Sequence, residues 1–171
     1  MKWLCPIVVS VAIFGVGVEA VQPNTDAGRV QQDVKMLIDA LYNAEVETVI
    51  RYTHPTIIAM QGGVESTRKA IRDLVVKMKS AGMRVESLTF PKPPEFLEGG
   101  GRRFAVVPTL SIISGNGQRS ESLNFQLGVL DSGSTEWTYV EGSRLTKENV
   151  QTLFPGFPAS YEFPPFYRKK L

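Results

Sequence analysis

The only histidine in this chain of 171 residues is His54, which lies in the segment RYTHPTIIAMQGG, residues 51–63. An imidazole with an ordinary pKa near 6.5 can exchange a proton at neutral pH, so His54 is a candidate general base. Pro55 disfavours helical geometry at the residue before it, and a helix that approaches from the N-terminal side should therefore stop there. The imidazole could then bind the last free carbonyls of that helix, which we expect to be its main role.

A second group of candidate residues lies near the end of the chain's last expected strand. Trp137, Tyr139 and Glu141 alternate along that strand, so they share one face. An aromatic wall that ends in a carboxylate would suit a flat apolar ligand, and the same residues could equally belong to an ordinary core. We expect a ligand-binding set made of Tyr42, His54, Met60, Trp137, Tyr139 and Glu141. If the protein is an enzyme, His54 and Glu141 are its candidate catalytic residues.

Residue content argues against several other chemistries. Cys5 is the only cysteine and precedes the apolar N-terminal run, so a processed chain would have no thiol nucleophile and no disulfide. One histidine and no remaining cysteine make a zinc or copper site improbable. No serine lies in a G-x-S-x-G elbow, and the glycine-rich segments 99–101 and 115–117 precede strands, where no phosphate-binding loop is formed. We expect no cofactor and no bound metal.

The N-terminus has the pattern of a secretory signal. Lys2 is followed by an apolar run over residues 7–18, and residues 18–20 (VEA) are small or medium where a signal peptidase cleaves. The run is shorter than the roughly 20 residues that a spanning helix needs. We therefore expect residues 1–20 to be removed and the mature chain to be exported, to the periplasm or the cell exterior, with no membrane span left.

The composition of the whole chain is that of an ordinary globular protein. Hydrophobic residues make up 43% and charged residues 21%, and a net charge of +2 is too small to indicate nucleic-acid binding. A mature chain of about 150 residues can bury a sufficient core without disulfides. We expect one domain over residues 21–153. Residues 154–171, rich in proline and aromatics, should form an extended strap that packs on the domain, contacts a second subunit or acts as a lid.

Hydrophobic periodicity predicts three helices in the first half of the chain. Apolar residues recur at helical spacing over residues 30–41, which defines the first helix. A second helix should end before Pro55. A third is expected from about Ser66 to Ala81, with Gly82 after its last turn. Between the second and third helices, the short β-branched segment 56–60 favours a strand.

The second half of the chain predicts a meander of antiparallel strands. Strands are expected at residues 84–90, 103–114, 118–130 and 136–141, followed by a short helix at residues 146–153. The tight turn of residues 115–117 (GNG) is a strong hairpin signal, because Asn-Gly accepts positive φ angles. In the strand that follows this turn, residues 123, 125, 127 and 129 share one face, whereas Asn124 and Gln126 share the other and should point outward, toward solvent or a partner sheet.

This order of elements indicates an α+β domain: a curved, mostly antiparallel sheet wrapped around three N-terminal helices, then a short C-terminal helix and an extended tail. The segment LIDALYNAEVETVIRYTHPTIIAMQGG, residues 37–63, with the helix that follows it, resembles the SnoaL-like branch of the nuclear-transport-factor-like superfamily. The resemblance implies a cone with a cavity at its wide end. It also implies either an isomerase, dehydratase, cyclase or hydrolase of apolar ring compounds, or a protein that binds ligands or partners without catalysis.

The chain differs from the catalytic members of that superfamily at the positions that carry their chemistry. The carboxylate base of the isomerase-like members falls on Met60, and their enolate-stabilising tyrosine falls on Leu37. Dehydratase-like members use histidines with an acid, whereas this chain has His54 alone. These departures count against the known reactions of the superfamily.

Two functions of different classes follow from the sequence. The first, which we favour, is an exported non-catalytic module that binds a small apolar ligand or a protein partner in the cone cavity. The second is a cavity enzyme, such as an isomerase, dehydratase or hydrolase, with His54 or Glu141 as acid or base. Ionisable groups clustered inside the cavity would favour the enzyme, and an aromatic cavity without them would favour binding. We also expect a homodimer, because two-fold dimers are the commonest oligomers and the aromatic tail suits self-pairing.

Overall fold

The computed structural model describes residues 26–171, and this part of the chain begins with four helices. They are α1 (Asp26–Asn43), α2 (Val46–Tyr52), α3 (Pro55–Met60) and α4 (Val64–Ser80). The expected signal sequence, its cleavage site and Cys5 lie outside the described residues. No helix between residues 26 and 171 is both long enough and apolar enough to cross a bilayer.

Six strands form one antiparallel sheet in the second half of the chain. They are β1 (Arg84–Thr89), β2 (Glu95–Gly99), β3 (Arg102–Gly115), β4 (Gln118–Leu130), β5 (Thr138–Glu141) and β6 (Tyr167–Lys170). The long strands β3 and β4 lie in the centre. β1 and β2 both pair with β3, and β5 and β6 both pair with β4. A 3-10 turn (Gly142–Arg144) and helix α5 (Lys147–Leu153) follow β5, and the expected α+β class is therefore confirmed.

Residues 56–60 were expected to form a strand, and this prediction is wrong, because they belong to helix α3. Pro55 opens the helix, at a position where its missing N–H is not needed and its fixed φ suits helical geometry. The side chain of His54 caps the same end by accepting a hydrogen bond from the backbone N–H of Thr56. These two helix-start signals outweigh the β-branched composition of the segment, so four helices precede the sheet instead of three.

Strand β2 was not predicted from the sequence. The proline-rich segment 91–94 separates β1 from β2, and both strands then pair with the same neighbour, β3. Gly100 and Gly101 adopt positive φ angles of 59° and 76°, which close the turn between β2 and β3. The predicted turn at residues 115–117 is present, with positive φ at Asn116 and Gly117.

Both faces of the sheet are covered by other parts of the chain. One face packs against the N-terminal helices through a buried cluster made of Val30, Val34, Tyr52, Ala105, Val107, Trp137 and Tyr139. The opposite face packs against α5 and the C-terminal segment through Phe104, Val106, Phe125, Leu127, Val129, Val140, Leu145, Val150, Phe154 and Phe157. The sheet is therefore the middle layer of the domain, and its two sets of alternating side chains serve two separate clusters.

The segment after α5 packs on the sheet as an extended strap. Phe154 and Phe157 are buried, and the ring of Phe163 stacks on that of Phe125 with centroids 5.1 Å apart. The end of the chain then pairs with β4 as strand β6. Of the three roles expected for the tail, packing on the domain is the one that these contacts describe.

Gly128 of β4 allows two aromatic side chains to approach the sheet closely. It lies opposite Tyr139 in the register of β4 and β5. A Cβ atom at this position would lie 3.1 Å from Cε1 of Tyr139 and 3.2 Å from Cε3 of Trp137, closer than ordinary carbon contacts. The missing side chain therefore helps to set the position of Tyr139, which lines the cavity described next.

Candidate functional site

A cavity of about 650 Å³ lies between the N-terminal helices and the end of the sheet where β5 leads into α5. Its walls are mostly aliphatic, with contributions from all five helices. The apolar lining residues are Leu37, Ile38, Leu41, Val49, Ile57, Met60, Ile71, Leu74, Val140, Leu145 and Leu153. A volume in this range and a mainly apolar lining are usual for sites that bind small organic ligands.

Two side chains that carry a charge at neutral pH contribute to the cavity lining, Glu141 and Arg144, and both are exposed. The carboxylate of Glu141 already accepts two hydrogen bonds, from Nδ2 of Asn124 at 2.6 Å and from the backbone N–H of Ser143 at 3.2 Å. Within residues 26–171 the guanidinium of Arg144 forms no hydrogen bond and no ion pair. The lining thus contains a cation that is left without a protein partner.

Gln126 of β4 was expected to point outward, and this expectation is wrong. Its side chain lines the cavity and the residue is only 8% exposed, because the helices cover this face of the sheet. In the register of β4 and β5 it lies directly opposite Glu141. Among the described residues its side-chain amide has no hydrogen-bond partner. Its amide is not among the fully buried polar atoms without a partner in the described residues, so it reaches the space of the cavity and is a polar contact point for an occupant.

Tyr139 lines the cavity, while its hydroxyl group is bound elsewhere. The hydroxyl donates a hydrogen bond to Oδ2 of Asp33 on α1 at 3.0 Å. Burial, reinforced by the negative charge of Asp33, raises the pKa of Tyr139 far above its usual value. Burial also raises the pKa of Asp33, and the hydrogen bond from Tyr139 opposes that rise. The phenol therefore stays protonated, and its hydrogen bond links β5 to α1. It is not available as an acid for chemistry in the cavity.

His54 is a helix-end residue, as expected, but at the start of a helix and not at the end of one. The backbone at His54 is extended and α2 ends before it, as Pro55 predicted. Nδ1 accepts a hydrogen bond from the backbone N–H of Thr56 at 3.1 Å. The ring therefore binds a free amide of α3, and the expected bond to the last carbonyls of α2 is wrong. Because Nδ1 accepts, the proton of the neutral ring is assigned to Nε2.

The other ring nitrogen of His54 faces a carboxylate. Nε2 lies 3.4 Å from Oδ2 of Asp131, which is longer than the usual range for an N–H···O hydrogen bond, so the contact is electrostatic and no full hydrogen bond forms. Asp131 instead accepts a hydrogen bond of 2.6 Å from Nε of Arg102, and this bond holds the pKa of Asp131 below its usual range. Burial lowers the pKa of His54, although Asp131 opposes the effect.

His54 does not line the cavity. It is 3% exposed, and its ring packs edge-on against Phe154, with centroids 4.9 Å apart. One nitrogen is occupied by the helix cap and the other faces Asp131. A buried imidazole that caps a helix through Nδ1 and faces a carboxylate with Nε2 is a structural group, and nothing in its position brings it to a substrate in this cavity.

The remaining expected site residues are placed in different parts of the molecule. Met60 is 68% exposed and contributes to the cavity lining. Trp137 is buried between the helices and the sheet, next to Phe96, and does not line the cavity. Tyr42 is half-buried and also lies outside the lining. Of the six expected ligand-binding residues, the structure brings Met60, Tyr139 and Glu141 to the cavity and leaves Tyr42, His54 and Trp137 away from it.

Sequence reasoning missed five polar lining residues: Thr53, Gln61, Gln126, Arg144 and Asn149. Gln126 carried a usable signal, since it lies on the same strand face as Gly128, and a glycine inside a strand often marks a close packing contact. Arg144 lies in a 3-10 turn that follows β5, and no periodic pattern gives the direction of a side chain in such a turn. Its role emerges only when the turn is packed beside the helices.

A second hollow, of about 410 Å³, lies at the tip of the β3–β4 hairpin and is bordered by β6. Four cationic residues line it, but most of them already have partners. Arg119 pairs with Glu86 at 2.7 Å and Lys169 pairs with Glu121 at 2.9 Å. The apolar cavity is therefore the better candidate for a ligand site.

No protein-family model, curated protein sequence or solved structure matches this chain. Between residues 26 and 171 there is also no group of three histidine, aspartate or glutamate side chains with the geometry to hold a metal ion.

Proposed function

We propose that this protein is a non-catalytic module that binds a small apolar ligand in the cavity between the N-terminal helices and the sheet. The observation that carries the proposal is the lining itself: a partly open cavity of about 650 Å³ bordered mainly by aliphatic side chains, with contributions from five helices. Removing an apolar surface from water stabilises the bound state by roughly 25 cal/mol for each Å². Such a lining provides that surface over most of the cavity.

The positions of the titratable groups favour binding over catalysis. His54, the one histidine, caps α3 and lies outside the cavity lining. Tyr139 keeps its proton on the bond to Asp33. Glu141 is exposed and already accepts two hydrogen bonds, so its carboxylate is not a base held in a dry pocket.

The proposal retains two expectations from the sequence. Residues 1–20 have the pattern of a secretory signal, which supports a function in the periplasm or outside the cell. The resemblance of residues 37–63 to the SnoaL-like branch supports a cavity as the working part of the domain. Self-association as a homodimer also remains a proposal.

Cavity filling tests the proposal. Ile57 of α3 lines the cavity, and no residue of that helix is fully buried, so a larger side chain there should be tolerated by the fold. Ile57→Trp should abolish calorimetrically measured binding of 1-decanol, which we use as a neutral apolar probe. Ile58→Trp is the matched control, because Ile58 is the next residue, is also half-buried and does not line the cavity.

Circular dichroism should first show that both variants fold. Binding of decanol to the unmodified protein and to Ile58→Trp, together with its loss in Ile57→Trp, supports the proposal. Equal binding to Ile57→Trp and Ile58→Trp would place the ligand elsewhere. No binding of decanol or other apolar probes to the unmodified protein would reject the proposed function.

A further inference from the structure

The cavity is not uniformly apolar, and its polar groups are unequally satisfied. Glu141 and Tyr139 have protein partners, whereas the guanidinium of Arg144 and the side-chain amides of Gln126 and Gln61 have none among the described residues. Gln126 is buried, whereas Arg144 and Gln61 are exposed. The unpartnered groups therefore differ in depth, with a neutral amide inside and a cation near the surface.

We propose that the ligand is an apolar monocarboxylate that carries a second oxygen, with its carboxylate on Arg144 and its second oxygen on the amide of Gln126. This inference rests on the proposed function, since it names the class of ligand for the same cavity. A guanidinium presents parallel N–H donors that match the two oxygens of a carboxylate, so Arg144 favours an acid over an alcohol of equal length.

The amide of Gln126 adds a requirement that a simple fatty acid does not meet. Its Nε2 can donate and its Oε1 can accept, so either a hydroxyl or a carbonyl oxygen on the ligand would satisfy part of it. An apolar chain in contact with this amide would leave it unpaired inside the cavity, which is unfavourable. A hydroxyl or keto group on the apolar body is therefore expected.

Glu141 limits the site to one negative charge. Its carboxylate accepts hydrogen bonds from Asn124 and from the backbone of Ser143, and it does not pair with Arg144, although the two residues are only three positions apart in the chain. The charge on Glu141 opposes a bound anion, so a dicarboxylate should bind less well than a monocarboxylate. Glu141→Gln keeps an oxygen that can accept the hydrogen bond from Ser143 and removes the negative charge. This substitution should raise the affinity for an apolar carboxylate such as decanoate and leave the affinity for 1-decanol unchanged.

Calorimetric titrations of decanoate and 1-decanol into the full chain test the role of Arg144. Decanoate should bind more tightly than decanol. Arg144→Gln should lower the affinity for decanoate by about tenfold, in the range expected for a charge-assisted pair, and should have little effect on the affinity for decanol. Arg72→Gln is the matched control, because Arg72 is an exposed arginine of α4 outside the cavity lining and forms no ion pair among the described residues.

A series of hydroxydecanoates, with the hydroxyl at different positions, tests the role of Gln126. At least one isomer should bind about fivefold more tightly than decanoate, and Gln126→Leu should remove that advantage and keep decanoate binding. If no isomer exceeds decanoate, the second oxygen is rejected. If Arg144→Gln affects acid and alcohol alike, the carboxylate assignment is rejected, whereas the proposed function survives. If neither decanol nor decanoate binds, the proposed function itself fails.

Discussion

The cap of α3 by His54 can be tested by comparing two substitutions at that residue. His54→Ala removes the acceptor for the N–H of Thr56 and also the edge contact with Phe154. Loss of an N-cap costs about 1 kcal/mol, and an edge-to-face aromatic pair contributes about 0.5 to 1.5 kcal/mol. His54→Ala should therefore lower the free energy of unfolding by about 2 kcal/mol. Asparagine is a good N-cap residue, so His54→Asn should lose only the ring contact, about 1 kcal/mol.

Urea unfolding followed by circular dichroism measures both values. The two variants should differ by about 1 kcal/mol, which is the contribution of the cap. Equal destabilisation by alanine and asparagine would show that the bond from Thr56 to Nδ1 does not stabilise the fold. A variant with an unchanged free energy of unfolding would contradict both the cap and the packing of the ring on Phe154.

Three further outcomes follow from the same contacts. Burial lowers the pKa of His54, so the unfolded chain binds a proton at this residue more readily than the folded chain does. The free energy of unfolding should therefore fall as the pH drops from the ordinary histidine pKa of about 6.5 to the lower pKa of the folded state, and His54→Asn should not show this fall. A rise in the free energy of unfolding over that pH range would contradict the burial effect. Tyr139→Phe should lower the free energy of unfolding by about 1 to 2 kcal/mol and raise the pKa of Asp33 further, as followed by NMR of the carboxyl group; an unchanged Asp33 titration would contradict the bond. Gly128→Ala should lower the free energy of unfolding by about 1 to 3 kcal/mol, because the added methyl group would crowd Tyr139 and Trp137. The thermal midpoint should fall accordingly, and an unchanged midpoint would contradict that tight contact.

Periodicity and turn chemistry predicted most elements of the fold. The apolar spacing over residues 30–41, the stop before Pro55 and the turn at residues 115–117 each specify structure locally, and each is present. The prediction of a strand at residues 56–60 is wrong. A short β-branched segment is compatible with either a strand or a helix, and here Pro55 and the N-cap by His54 favour the helix. β2 was missed because its pairing with β3 is a contact that no local pattern specifies.

The site was harder to predict than the fold, because side-chain direction depends on how the layers pack. The alternation of apolar and polar residues correctly placed Asn124 and Gln126 on one face of β4. It does not show whether that face is exposed to solvent or covered by another layer of the domain. The sheet has a cluster on each side, so both faces are buried in its centre. For the same reason Trp137 belongs to the core and not to the cavity, although it lies directly before β5 and only two positions from Tyr139.

The central claim is that an apolar ligand occupies the cavity between the helices and the sheet. Intermolecular NOEs between 1-decanol and methyl-labelled protein locate the probe directly. Contacts are expected at the methyl groups of Ile57, Ile71 and Leu153, which line the cavity, and not at Ile112 of β3, which does not. NOEs to Ile112 at equal strength, or none to the three lining residues while decanol is bound, would contradict the claim.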